Sequence, residues 1–167
     1  RMRELLLQYT VVGGMPAVVD AFIRDHNLAT VLMLQRGIVD EYKGDMMKYA
    51  SDADKPRIRR CFESIPAQLS RENKKFTYSV VEKGARAKDY WGSLQWIEDA
   101  GIIRRCHNLE ITELPLDGNA MRDVFKVYMA DTGLFVSMLE DGTQYSIISG
   151  DLLGYKGAIF ENLVADM

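Results

Sequence analysis

The sequence predicts a mainly α fold with a small β-wing, in which a helical region leads into a winged helix-turn-helix domain. Three observations carry that expectation. Across residues 86–100 the apolar side chains Tyr90, Trp91, Leu94 and Ile97, continued by Ile102, recur at three- and four-residue intervals and form one inward stripe, with Arg86, Lys88, Asp89, Ser93 and Gln95 off it. Gly101 follows, where a left-handed helix cap favours a residue without a Cβ. Two β-like runs, 102–111 and 123–130, then flank a segment whose Pro115 and Asp117-Gly118-Asn119 read as turns, so an antiparallel hairpin is expected. The boundaries that follow are 1–54 for the helical region, 55–131 for the winged helix and 132–167 for C-terminal helices.

The elements can be justified in order. Residues 1–12 read as a helix with Leu5, Leu6 and Tyr9 on one side, broken by Gly13-Gly14. Pro16 suits the first turn of the next helix, which offers Val18, Val19, Phe22 and Ile23 as its inward face and ends near Asn27. A longer helix over residues 28–50 sets Val31, Leu34, Ile38, Tyr42, Met46 and Tyr49 on one face, with Gly37 and Gly44 allowing close packing. The polar stretch SDADKP is the hinge. Beyond it Ile58, Cys61, Phe62 and Ile65 mark a helix, and Pro66 forces a fresh short turn. Residues 74–83 form a short helical lead into the 86–100 helix. Asp131 stands as an N-cap before residues 133–140, and residues 155–167 form a last amphipathic helix with Ile159, Phe160, Leu163 and Val164 inward.

Composition narrows the function classes. A chain of 167 residues with 47% apolar and 27% charged residues buries a real core. No run approaches the roughly 20 apolar residues of a membrane span, and the N-terminus lacks a signal-peptide pattern, so a cytoplasmic protein without membrane contact is expected. Cys61 and Cys106 are read as reduced, packed thiols, and His26 and His107 as isolated surface or edge residues. Net charge is −3, yet residues 55–105 hold twelve basic and six acidic side chains, leaving −9 elsewhere. That basic stretch makes Lys74, Lys75, Arg86 and Lys88, on or just before the 86–100 recognition helix and off its apolar stripe, the candidate nucleic-acid contacts. The opposing reading keeps Phe76, Tyr90 and Trp91 in the core and has the surface dock a protein.

Several chemistries are excluded or weak. There is no GxxxxGK[ST] and no GxGxxG, so the chain holds no phosphate cradle, and no cofactor or catalytic residue is expected in it. Asp131-Thr132-Gly133 matches the aspartic-protease tripeptide but opens a helical stretch, which makes it a cap. Glu98-Asp99 and Glu140-Asp141 are taken as solvated charges.

GGMPAVV, YKGDMMKYA, SIPAQLSRENKKF, WIEDAGII, KVYMADTGL and GAIFENLVA together resemble the bacterial AAA-like ATPases, more narrowly their C-terminal region known as domain of unknown function 4143. The resemblance implies a P-loop module, with its ATP and Mg, before Arg1, and a nuclease-like fold of which only the first helix is present. It implies that Glu161 could join a metal site in the intact protein, and that the chain's own ATPase module is a partner. The resulting expectation is a non-catalytic regulatory or interaction module whose winged helix contacts DNA or a partner protein. The alternatives are the recognition part of a metal-dependent nuclease, or an oligomerisation module that pairs through its C-terminal helix as a homodimer.

Overall fold

Glycine, proline and capping side chains cut this chain into its elements. The structure, a computed structural model, describes residues 1–151 and 156–167. Helix α1 (Met2–Val12) stops at Gly13, and α2 (Pro16–Asp25) opens on its proline. Asn27, expected near the end of α2, lies past it, because His26 caps that helix. Its side chain accepts from the Ala29 N–H and so starts α3 (Leu28–Tyr49). Helices α4 (Lys55–Glu63) and α5 (Ile65–Leu69) share Ser64 as their junction, with Pro66 in the first turn of α5. Then come α6 (Tyr78–Val81), α7 (Ala87–Asp99), strand β1 (Ile103–Leu109), a 3₁₀ turn (Leu116–Asn119) and strand β2 (Ala120–Met129). Helices α8 (Thr132–Ser137), α9 (Thr143–Ser149) and α10 (Lys156–Asp166) complete the described chain. The class is mainly helical with one small two-stranded antiparallel sheet.

The hairpin pairs Ile103 with Met129, Cys106 with Lys126 and His107 with Phe125. Its register breaks after His107, so that Asn108 faces Met121 and residues 122–124 bulge from β2. Just before α6 the chain runs beside the other edge of β2, where the Phe76 N–H donates to the Phe125 carbonyl at 2.8 Å. One hydrophobic core draws on all three expected segments: Val11 and Met46, Phe62 and Leu94, Val127, Phe135 and Ile159.

Spacing located the helices better than their inward faces. Trp91 was expected inside and Ser93 outside, yet Ser93 is buried and Trp91 is exposed. The face is set by Tyr90, Leu94 and Ile97, and Trp91 lies about 100° round the helix from Tyr90. In α2 Val18 is buried and Ile23 exposed, and in α3 Tyr49 is exposed while Gln35 and Val39 are inside. Gly37 and Gly44 meet no neighbour, so close packing is not their role. Leu5, Leu6 and Tyr9 of α1 are exposed, its buried end being Thr10, Val11 and Val12.

The same correction applies to α10. Tyr155, expected to begin it, lies outside the described residues. Its inward face is Ala158, Ile159, Asn162 and Leu163, while Phe160 is half-buried and Val164 points to solvent. The helix folds back onto α8 and β2. Burying Ile159 and Leu163 stabilises it by about 1.5–3 kcal/mol each. Asn162 belongs inside because it completes the end of β2: its Oδ1 accepts from the Met129 N–H at 2.8 Å, and its Nδ2 donates to the Met129 carbonyl and to Thr132 Oγ1, both at 3.1 Å.

Candidate functional site

Asp131 acts where the N-terminal helices meet α8. One carboxylate oxygen accepts from the Leu134 N–H, which is the expected cap, and the other accepts from the Gly14 N–H, both at 2.7 Å. Gly13 has φ 72°, and a Cβ there would lie 2.4 Å from the Asp131 carboxylate. Gln35 Nε2 donates to the Val11 and Val12 carbonyls at 2.8 and 3.1 Å, and Gly133 sits against this group without room for a side chain. Asp131 is thus a structural acid whose lone pairs serve two helix ends.

The expected contact residues do not share one environment. Lys74 is mostly buried and donates to Glu161 Oε1 at 2.5 Å, which removes it from the open surface. Glu161 also accepts from Lys126 at 3.0 Å and from the Tyr128 hydroxyl at 3.2 Å. Desolvation pushes the Glu161 carboxyl up, but the hydrogen bonds from Lys74 and Lys126 outweigh it and hold the group below its ordinary value. Burial, with Glu161 alongside, pushes the Tyr128 hydroxyl well up. A carboxylate already compensated by two ammonium groups does not fit a divalent-ion site, which gathers several anionic donors. Glu161 is therefore an ionic latch holding α10 on the hairpin.

Lys75 is exposed on the rim of a groove of about 370 Å³, whose lining includes Asn73, Cys106, Val124 and Lys126. Arg86 and Lys88, with Lys83, are exposed at the start of α7, and none has a side-chain partner among the described residues. Trp91 stands one turn further on. The Arg105 guanidinium lies over its ring at 4.4 Å, while Arg105 Nε donates to Glu98 at 2.7 Å and its Nη2 donates to Glu98 and Gln95. Glu98 is thus bound to a buried cation and is not the solvated charge expected, whereas Asp141 is solvent-exposed as expected and pairs with Arg36 at 2.5 Å. The pattern of α7 gave no sign of the Trp91–Arg105 stack, because Arg105 comes from the following strand.

The hairpin loop reaches beyond this stack. Arg105 and Phe125 both contact Trp91, so β1 runs back along α7 and carries the loop to the same end of the molecule as the first turn of α7. Residues 110–123 carry Glu110, Glu113, Asp117 and Asp123 against Arg122, a net −3, with Ile111, Leu114 and Leu116 exposed. Residues 83–88 carry +3 and no acid.

The cysteines differ. Cys61 is the packed thiol expected, and burial pushes it up to about 12, whereas Cys106 is exposed on the hairpin and not packed. His107 rests against the Phe125 ring, and His26 ends α2 in a left-handed conformation. Among the described residues no three or more His, Cys, Asp or Glu converge as a metal-binding group, and no helix is long and apolar enough to cross a membrane.

Comparison with known proteins corrects the resemblance to ATPase C-terminal regions. No curated protein and no solved structure matches the chain. Residues 3–145 match a different family, described as Domain of unknown function (DUF8612). Strings that carried the ATPase resemblance are packing and capping devices here: Gly13-Gly14 closes on Asp131, Asp131-Thr132-Gly133 starts α8, and Glu161 latches α10. The expected P-loop module with its ATP and Mg, the ATPase partner and the nuclease-like role of Glu161 rested on that resemblance and lose its support. The match spans most of the sequence, and the chain belongs to the DUF8612 family.

Proposed function

We propose that this chain is a non-catalytic interaction module in which residues 55–131 form a winged helix that docks protein through α7 and the hairpin loop. The winged-helix reading is supported by order and pairing: α4 and α5, the extended segment at Phe76 bonded to β2, α6, α7, then β1, loop and β2. The choice of a protein partner rests on charge. A nucleic-acid binder presents cations on both its recognition helix and its wing, because phosphate neutralisation supplies most of the affinity. Here the loop is net −3, so a phosphate backbone laid across it would be repelled. Trp91, held by Arg105, offers the rigid aromatic anchor typical of protein interfaces.

A second reading, nucleic-acid contact through Lys75, Arg86 and Lys88, is favoured by one observation: all three cations are exposed and unpaired among the described residues. Two measurements separate the readings. Anisotropy of a labelled duplex should show no saturation below about 100 μM chain at physiological salt, the weak end of non-specific binding. A photo-crosslinker at position 91 should capture a protein in cells, and Arg86→Glu should abolish the adduct. Duplex binding whose salt slope falls by about one unit per cation removed in the Lys75→Ala, Arg86→Ala, Lys88→Ala variant would reverse the choice.

A further inference from the structure

We infer that the partner of this surface is a second copy of the same chain, each acidic hairpin loop seating on the basic start of the other copy's α7. The inference rests on the protein-docking reading above and names its partner. Its basis is self-complementarity in both charge and apolar surface.

The loop, residues 110–123, is net −3 and exposes Ile111 at 52%, Leu114 at 86% and Leu116 at 49%. Residues 83–88 are net +3, unpaired among the described residues, and lead to Trp91, itself 37% exposed. Within one copy these charges do not meet. Among the described residues the one ion pair of the loop is Arg122 with Asp117, at 3.9 Å, and no pair joins a loop acid to Lys83, Arg86 or Lys88. Three large apolar side chains on an exposed loop of net negative charge call for an apolar surface beside net positive charge.

The two patches also lie at the same end of the molecule, because β1 runs back along α7. Two complementary patches side by side can meet their opposites reciprocally across a two-fold axis, so both contacts form at once and the assembly closes as a dimer. The α10 helix plays no part, since its apolar face is already covered by α8 and β2.

The test uses the 167-residue chain in analytical sedimentation at 10–500 μM, roughly the range of weak protein contacts, in about 50 mM and 500 mM salt. A dimer that weakens at high salt is expected. One variant reverses the loop (Glu110→Lys, Glu113→Lys, Asp117→Lys), and another reverses the helix start (Lys83→Glu, Arg86→Glu, Lys88→Glu). All six side chains are exposed, and circular dichroism with melting temperature verifies that both variants fold. Each alone should be monomeric, because like charges then face each other. Their equimolar mixture should form a heterodimer, because both reciprocal contacts become attractive again. A wild-type monomer at the highest concentration and low salt, a variant that stays dimeric, or a mixture of folded variants that stays monomeric overturns the inference. A wild-type monomer whose position 91 still crosslinks to another protein overturns only this inference, whereas saturable duplex binding overturns the docking reading beneath it.

Discussion

Replacing Gly133 by alanine tests whether the meeting of α1, α3 and α8 is as tight as its geometry requires. A Cβ at Gly133 would stand 2.6 Å from Gln35 Nε2, 2.6 Å from the Val12 carbonyl oxygen and 2.7 Å from the Gly13 nitrogen. Two of those atoms are backbone. The third is fixed by its bonds to the Val11 and Val12 carbonyls, so relief requires α8 to move by several tenths of an ångström. Overpacking of this kind costs about 1–3 kcal/mol. Losing one Gln35 hydrogen bond adds about 0.5–1.5 kcal/mol, and the better helix propensity of alanine returns up to about 1 kcal/mol. The net expectation is a loss of about 1–3 kcal/mol. Gly37→Ala is the matched control: it lies inside α3 with no atom near its added Cβ, so the same chemical change should stabilise by about 0.5–1 kcal/mol. Urea unfolding followed by circular dichroism reads both. With a slope near 2 kcal/mol/M, the midpoint should fall by roughly 0.5–1.5 M for Gly133→Ala and rise by roughly 0.3–0.5 M for Gly37→Ala. A midpoint for Gly133→Ala at or above that of the wild type would refute the packing argument.

Three further outcomes follow from described contacts. Asn162→Ala leaves the Met129 N–H and carbonyl without their side-chain partner and should cost about 2–3 kcal/mol in the same assay, whereas Val164→Ala on the outer face of α10 should change little. The Glu161 carboxyl is lowered in the folded state, so its stabilisation is present above its unfolded value near 4.5 and is lost as pH falls through the folded value. Glu161→Gln should therefore be less stable than wild type at pH 7, with a difference that shrinks below pH 4.5. A thiol reagent such as dithionitrobenzoate should label Cys106 at once and Cys61 only on unfolding, because Cys61 is buried and its thiol is pushed up to about 12.

What the sequence disclosed was mostly local. Pro16, Pro66, Gly101 and the Asp131 cap each act within one turn, and the structure uses all four where the pattern placed them. The turn signals at Pro115 and Asp117-Gly118-Asn119 likewise put the hairpin in the right place. Helix faces were harder, because hydropathy spacing cannot see a buried polar residue that serves another element. Gln35 and Asn162 are inside on account of carbonyls more than 20 residues away, and their helices rotate accordingly. Helix α9, TQYSIIS, is short and largely polar and left no periodic trace. The candidate surface was legible in its cations, but the engagement of Lys74 with Glu161 joins residues 87 apart, and the Trp91–Arg105 stack joins a helix to a strand. Such pairings exist only once the chain has folded.

The bond from the Gly14 N–H to Asp131 spans 117 positions, which bears on how the chain can be made. At a synthesis rate of about 5–20 residues per second, the ribosome adds Asp131 roughly 6–23 s after Gly14. During that interval the turn between α1 and α2 has no acceptor for its amide, and the Val11 and Val12 carbonyls have Gln35 but not the covering α8. The first helices therefore emerge as a partly finished surface, with Val11 and Val18 still exposed to water or to whatever holds a nascent chain. Closure of the turn after α1 therefore waits on the arrival of one aspartate 117 positions further along the chain.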